Sequence, residues 1–133
     1  MKLEFLDDIT DTNQNKDVFF KQLIRLYHFN ANEALRLSEL INTTIIEKES
    51  SLDLGNVDFI EAINCSLQLK LSNSSFGIKA IDTFNFNCYL TKEDFLIMIE
   101  RIKQFSRVEL NEYQWLYDID TPIELLFSPN GTW

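Results

Sequence analysis

Apolar residues recur with a period of two over residues 65–71 and again over 84–90, and this pattern limits the possible folds more than any other feature of the chain. Cys65, Leu67, Leu69 and Leu71 alternate with Ser66, Gln68 and Lys70; Phe84, Phe86, Cys88 and Leu90 alternate with Asn85, Asn87 and Tyr89. Successive side chains on a strand point to opposite faces, so each segment has a dry face that must be covered and a wet one. Asn73-Ser74-Ser75-Phe76-Gly77 lies between them and is turn chemistry, which predicts an antiparallel hairpin. A register opposing Leu67 to Phe86 in such a hairpin also sets Cys65 across from Cys88.

The cover is readable as two helices. Asn30 precedes Ala31-Asn32-Glu33, an N-cap side chain with a carboxylate three residues on, and Ala34, Leu37, Ile41 and Ile45 then recur as one stripe. Thr91 stands in the same relation to Asp94, followed by Phe95, Met98, Ile99, Ile102 and Phe105 at helical spacing. Strands are also expected at Leu3 to Leu6, at Gln22 to Phe29 with apolar residues on both faces and hence a central place, and at Tyr113 to Tyr117 and Ile123 to Ser128. The last two flank a turn at Asp118-Ile119-Asp120-Thr121-Pro122 and predict a second hairpin. The sum is a single α+β domain over 1–133, a mainly antiparallel sheet of five or six strands with two helices on one face.

With 133 residues, the chain can bury one core, leaving about 7,000 Å² of surface folded against about 23,000 Å² unfolded. Eleven Phe against three Gly and two Pro oppose disorder. No stretch is apolar for long enough to span a membrane, and two carboxylates follow the start before any signal-like run, so a cytoplasmic protein is expected. Two cysteines are too few for a disulfide scaffold and, with His28 the only imidazole, too few for a structural zinc site. No cofactor is implied.

The formal charge is −9, and its excess is uneven, with five acids and no base from Val108 to Trp133. Such a tail repels nucleic acid and anionic membrane surfaces, because phosphate binding needs clustered Lys and Arg, and only Lys92, Arg101, Lys103 and Arg107 form a modest group. A basic protein is the partner class that the sign favours.

Catalytic chemistry is poorly supplied. His28 falls in the Gln22 to Phe29 strand on the face of Ile24 and Leu26, the place of a structural histidine rather than a base. Both thiols fall on dry strand faces with no activator nearby. The stretch Asp11-Thr12-Asn13-Gln14-Asn15-Lys16-Asp17 begins like an EF-hand loop, but Lys16 stands where Gly is needed and Gln22 where the bidentate Glu belongs, so a polar loop is the better reading. No catalytic and no metal-binding residue is therefore assigned.

What remains is aromatic. Tyr113, Trp115 and Tyr117 share one face of their strand by alternation, near Glu109, Glu112, Asp118, Asp120 and Glu124. On an exposed face they would anchor a cationic protein surface, since Trp and Tyr dominate interface hot spots. Turned towards the helices they would be core, which a domain this size also needs. The candidate binding set is Tyr113, Trp115, Tyr117, Asp118, Asp120 and Glu124.

The block from Tyr113 to Asp118, the run Leu125-Leu126-Phe127-Ser128-Pro129-Asn130-Gly131-Thr132-Trp133 and the strand and helix over 84–105 resemble a group of small uncharacterised bacterial proteins. The resemblance implies a bacterial, intracellular origin and supplies no activity or site residue. The expected function is thus a non-catalytic acidic protein-binding module, an adaptor or an immunity-type inhibitor. A small-molecule or metal-binding protein and a structural homodimer are the alternatives.

Overall fold

The computed structural model describes residues 1–10, 20–107 and 112–133, so the EF-hand-like stretch 11–17 and Glu109 lie outside the described residues. The strands are β1 (Lys2–Thr10), β2 (Phe20–Tyr27), β3 (Leu52–Asp53), β4 (Glu61–Ala62), β5 (Ser66–Leu71), β6 (Gly77–Ala80), β7 (Asn85–Leu90), β8 (Gln114–Trp115) and β9 (Ile123–Ser128). The helices are α1 (Ala31–Ile41), continued by a π-helical turn over Asn42–Glu47, and α2 (Lys92–Arg107). The fold is α+β, but the strands form two mixed sheets, β4-β1-β2-β9-β8 and β3-β5-β7-β6, in place of the expected mainly antiparallel one.

The reason lies between β5 and β7. The turn after β5 leads into β6, and β6 doubles back on β7 as the antiparallel hairpin, so the chain reverses twice and β5 and β7 run parallel. Leu67 does oppose Phe86, but Cys88 opposes Leu69 and Cys65 precedes the strand, so the expected pairing of the two thiols does not occur. Both cysteines are free and buried. Phe84, assigned by alternation to the dry face, is exposed just ahead of β7.

The helices form where their caps and stripes require. Asn30 Oδ1 accepts the Glu33 N–H at 2.9 Å and Glu33 Oε1 accepts the Asn30 N–H at 3.2 Å, a complete capping box. Glu33 Oε2 also accepts from the Met1 ammonium at 2.9 Å. Ala34, Leu37, Ile41 and Ile45 are all buried. At α2 the box is routed through the preceding turn: Ser75 Oγ accepts the Thr91 N–H at 2.9 Å and donates to Asp94, while Thr91 Oγ1 accepts the Asp94 N–H at 3.3 Å. Phe95, Met98, Ile99, Ile102 and Phe105 are buried, and α1 and α2 pack on each other.

β2 is central, parallel to β9 and antiparallel to β1, with Leu23, Ile24, Leu26 and Tyr27 buried on its two faces. It ends one residue short of His28, which takes φ 51°, a left-handed conformation that turns the chain out of the strand. His28 is therefore exposed and not on the dry face with Ile24 and Leu26. Phe29 re-enters the core, stacked on Phe127 at 4.0 Å with Phe105 edge-on to Phe127 at 5.0 Å, which ties the end of β2 to β9 and α2. Phe5 and Phe86, 4.7 Å apart, join the two sheets. One apolar cluster draws on both sheets and both helices, and the folded chain exposes 7618 Å². Among the described residues no helix is long and apolar enough to cross a membrane.

Candidate functional site

The second hairpin forms as expected, with Trp115 opposite Leu126 and Gln114 opposite Phe127. The face expected to carry three aromatic side chains together is split, because β8 is only two residues long and the chain bends directly after it. Tyr113 is 45% exposed, Trp115 is half-buried, and Tyr117 is 7% exposed inside the core. Tyr113 stands edge-on to Trp115 with ring centroids 5.8 Å apart, so the two form an aromatic pair at the surface.

Tyr117 works inward. Its hydroxyl accepts the Ile78 N–H of β6 at 3.2 Å, donates to the Ile123 carbonyl of β9, and shares a hydrogen bond with Thr121 Oγ1 at 2.8 Å. One phenol thus bridges the two sheets. Burial above all pushes it up to about 12, against the pull of the Thr121 and Ile78 hydrogen bonds. Gly77 makes this approach possible: at φ 72° a Cβ there would lie 2.7 Å from Thr121 Cγ2 and 3.0 Å from the Tyr117 hydroxyl oxygen.

Outside this clasp lies a depression of about 290 Å³ lined by Trp115, Tyr117, Asp118, Ile119, Asp120 and Glu124. Five of the six residues singled out from the sequence line it, and the sixth, Tyr113, backs Trp115. No lining residue is basic. Asp118 is nevertheless not a free acid, because Arg101 reaches it from α2. Arg101 Nη1 donates to Asp118 Oδ1 at 2.9 Å and to the Trp115 carbonyl at 2.9 Å, and Nη2 donates to Asp118 Oδ2. The bidentate hydrogen bond holds the Asp118 carboxyl below its ordinary range and raises Arg101. Among the described residues the carboxylates of Asp120 and Glu124 make no hydrogen bond and no ion pair.

Arg101 is the residue that the reading of the tail passed over. The sequence places it in the modest basic group of α2, one position before the buried Ile102 and on the flank of the apolar stripe, but carries no sign of its partner.

A second cleft, of about 600 Å³, opens between the sheets. Phe5, Phe86 and Ile123 form its floor, half-exposed Phe84 stands at its mouth, and Asn64 closes one side with both amide atoms on the Phe5 backbone, each at 2.8 Å. The groups usual in nucleophilic catalysis lie apart from both places. Cys65 is pushed up to about 11, chiefly by burial and then by the Glu4 charge, and Cys88 is raised by burial alone. His28 shares a shallow surface with Asp58 and Glu61. Among the described residues no three His, Cys, Asp or Glu side chains gather as metal ligands.

The depression can receive a cationic group against an aromatic wall, and the inter-sheet cleft an apolar one. No family model, curated protein or solved structure matches this chain, so the reading of the site rests on these residues.

Proposed function

We propose that the chain is a non-catalytic binding module, an adaptor or an immunity-type inhibitor, whose β8–β9 slot takes a cationic side chain from a basic protein. The observation that carries this reading is the charge left over in the slot: Asp118 is matched by Arg101, while Asp120 and Glu124 face the same depression with no bonding partner among the described residues. Trp115, braced by Tyr113, supplies an aromatic wall for the aliphatic stem and the cation. The net charge of −9 steers a basic partner towards the chain before contact. Two free, buried thiols fit the reducing cytoplasm as the compartment.

Capture by immobilised wild-type chain and by an Asp120→Asn/Glu124→Gln variant, at low and moderate salt, tests the proposal. A protein held by the wild type, absent from the variant and released by moderate salt is the expected result. A wild type that holds nothing at low salt, or a variant that holds the same set, ends the reading.

The inter-sheet cleft favours a second reading, a small-molecule binder, because its size lies within the range of about 300–1,000 Å³ typical of ligand pockets. Thermal shift against a metabolite panel, compared between wild type and Phe84→Ala, separates the two. Stabilisation that is lost in Phe84→Ala and kept in the slot variant selects the cleft.

A further inference from the structure

We infer that Arg101, on α2 and outside the acidic tail, is the positioning residue of the slot, and that Asp120 and Glu124, not Asp118, carry the charge that a cationic ligand meets. The inference rests on the recognition reading above and assigns its parts. Nη1 bridges the last carbonyl of β8 and the Asp118 carboxylate three residues on, and Nη2 closes the fork. One guanidinium therefore fixes the aromatic wall relative to the acidic turn. Its side chain is 20% exposed while that of Asp118 is 74% exposed, so the cation sits beneath and the carboxylate above it. A lysine, as a point charge on a flexible stem, cannot hold three acceptors in this planar arrangement.

Arg101 acts on a cationic ligand in two ways of opposite sign. Its charge repels the ligand, and its hydrogen bonds build the surface that the ligand uses. Repulsion is muted because Asp118 already pairs with the guanidinium and because exposed charges are screened. Loss of the scaffold is not muted, since Thr121 ties only the inner side of the turn to Tyr117 and Ile123, whereas Asp118 is tied to the end of β8 through the guanidinium. Removal of Arg101 should therefore weaken binding of a cation even though the chain becomes more acidic, and pure electrostatics demands the reverse.

The experiment titrates a hexa-arginine peptide into the full chain at low salt and follows tryptophan emission and calorimetric heat. Asp120→Asn/Glu124→Gln is compared with Glu39→Gln/Glu47→Gln, which removes as much charge from exposed acids outside the slot. A larger loss in the slot variant than in the control supports the recognition reading; equal losses overturn it and this inference with it. Given that difference, Arg101→Gln and Arg101→Lys decide the positioning role. Both are expected to bind the peptide about tenfold more weakly than wild type, the loss of one charge-assisted hydrogen-bond set. Arg101→Lys should also keep the wild-type dependence on salt, because its charge is unchanged. Where Arg101→Gln does not fold, Arg101→Lys carries the test. Tighter binding in Arg101→Gln with unchanged binding in Arg101→Lys overturns the positioning role and leaves the recognition reading standing.

Discussion

The inward and outward sides of residues 117–124 differ in how their polar groups are used. Inward, the Tyr117 hydroxyl, Thr121 Oγ1, the Ile78 N–H and the Ile123 carbonyl hydrogen-bond to one another, and among the described residues no buried side-chain nitrogen or oxygen lacks a partner. Outward, a few residues away, Asp120 and Glu124 keep their full capacity to accept hydrogen bonds. Bonding capacity is consumed where burial makes an unmet group costly and is retained where water or a ligand can meet it. The same short stretch thus holds the sheets together on one side and leaves unbonded carboxylates on the other, with Arg101 and Asp118 on the boundary between the two.

If the inner side is structural, the largest effect should come from Gly77. Ala there must adopt φ 72° and press its Cβ into Thr121 and Tyr117, so Gly77→Ala should cost about 3 kcal/mol by urea denaturation, from left-handed strain and overpacking together. A loss under about 1 kcal/mol would show that the clasp yields easily and that the contrast between the two sides is overdrawn. Tyr117→Phe should come next, at about 2 kcal/mol, since it leaves the buried Ile78 N–H without its acceptor, while the Ile123 carbonyl keeps the Thr121 hydroxyl at 2.7 Å.

Alkali probes the same phenol without mutation. The unfolded chain ionises Tyr117 from 10.0, whereas the folded chain resists to about 12, so the stabilisation is complete below pH 10 and is lost as pH rises towards 12. The expected slope is about 1.4 kcal/mol per pH unit within that window. Cys65, raised from 9.0 to about 11, and Cys88, raised further by its burial, add declines of the same sign that begin earlier and overlap this window. Denaturation of wild type and Tyr117→Phe from pH 8 upward checks this, and the variant should keep the thiol-linked loss while falling less steeply than wild type above pH 10. Equal slopes above pH 10 would mean that the phenol is solvated in the folded chain.

How much of this was legible in the sequence depended on whether the controlling contacts were local. Both helices were readable because a cap and a stripe lie within a dozen residues of each other, and all five expected apolar residues of α2 are buried. The partnership of β5 and β7 was not readable in direction, since it turns on β6, four residues without clear alternation whose place is fixed by Tyr117 from the far end of the chain. The site shows the same division. Charge and aromatic content singled out five residues that line one depression, but alternation assumed a strand long enough to keep Tyr113, Trp115 and Tyr117 together, and β8 is too short for that. Arg101 lay in another element, and no local pattern could bring it to Asp118. His28 was misplaced because a single left-handed residue, invisible to periodicity, ended its strand.

The smallest expected effect is the sharpest test of the outer side. Asp120→Asn and Glu124→Gln remove charge and keep shape, and neither carboxylate bonds to a described residue, so together they should change unfolding free energy by no more than about 0.5 kcal/mol. A slight stabilisation is the favoured sign, because both changes reduce self-repulsion in a chain of charge −9. A side chain that costs nothing to replace in the free chain, yet whose replacement abolishes capture of a basic protein, is held in place for recognition. A loss of 1 kcal/mol or more in the double variant would instead make these acids part of the clasp, and the difference between the two sides of the turn would disappear.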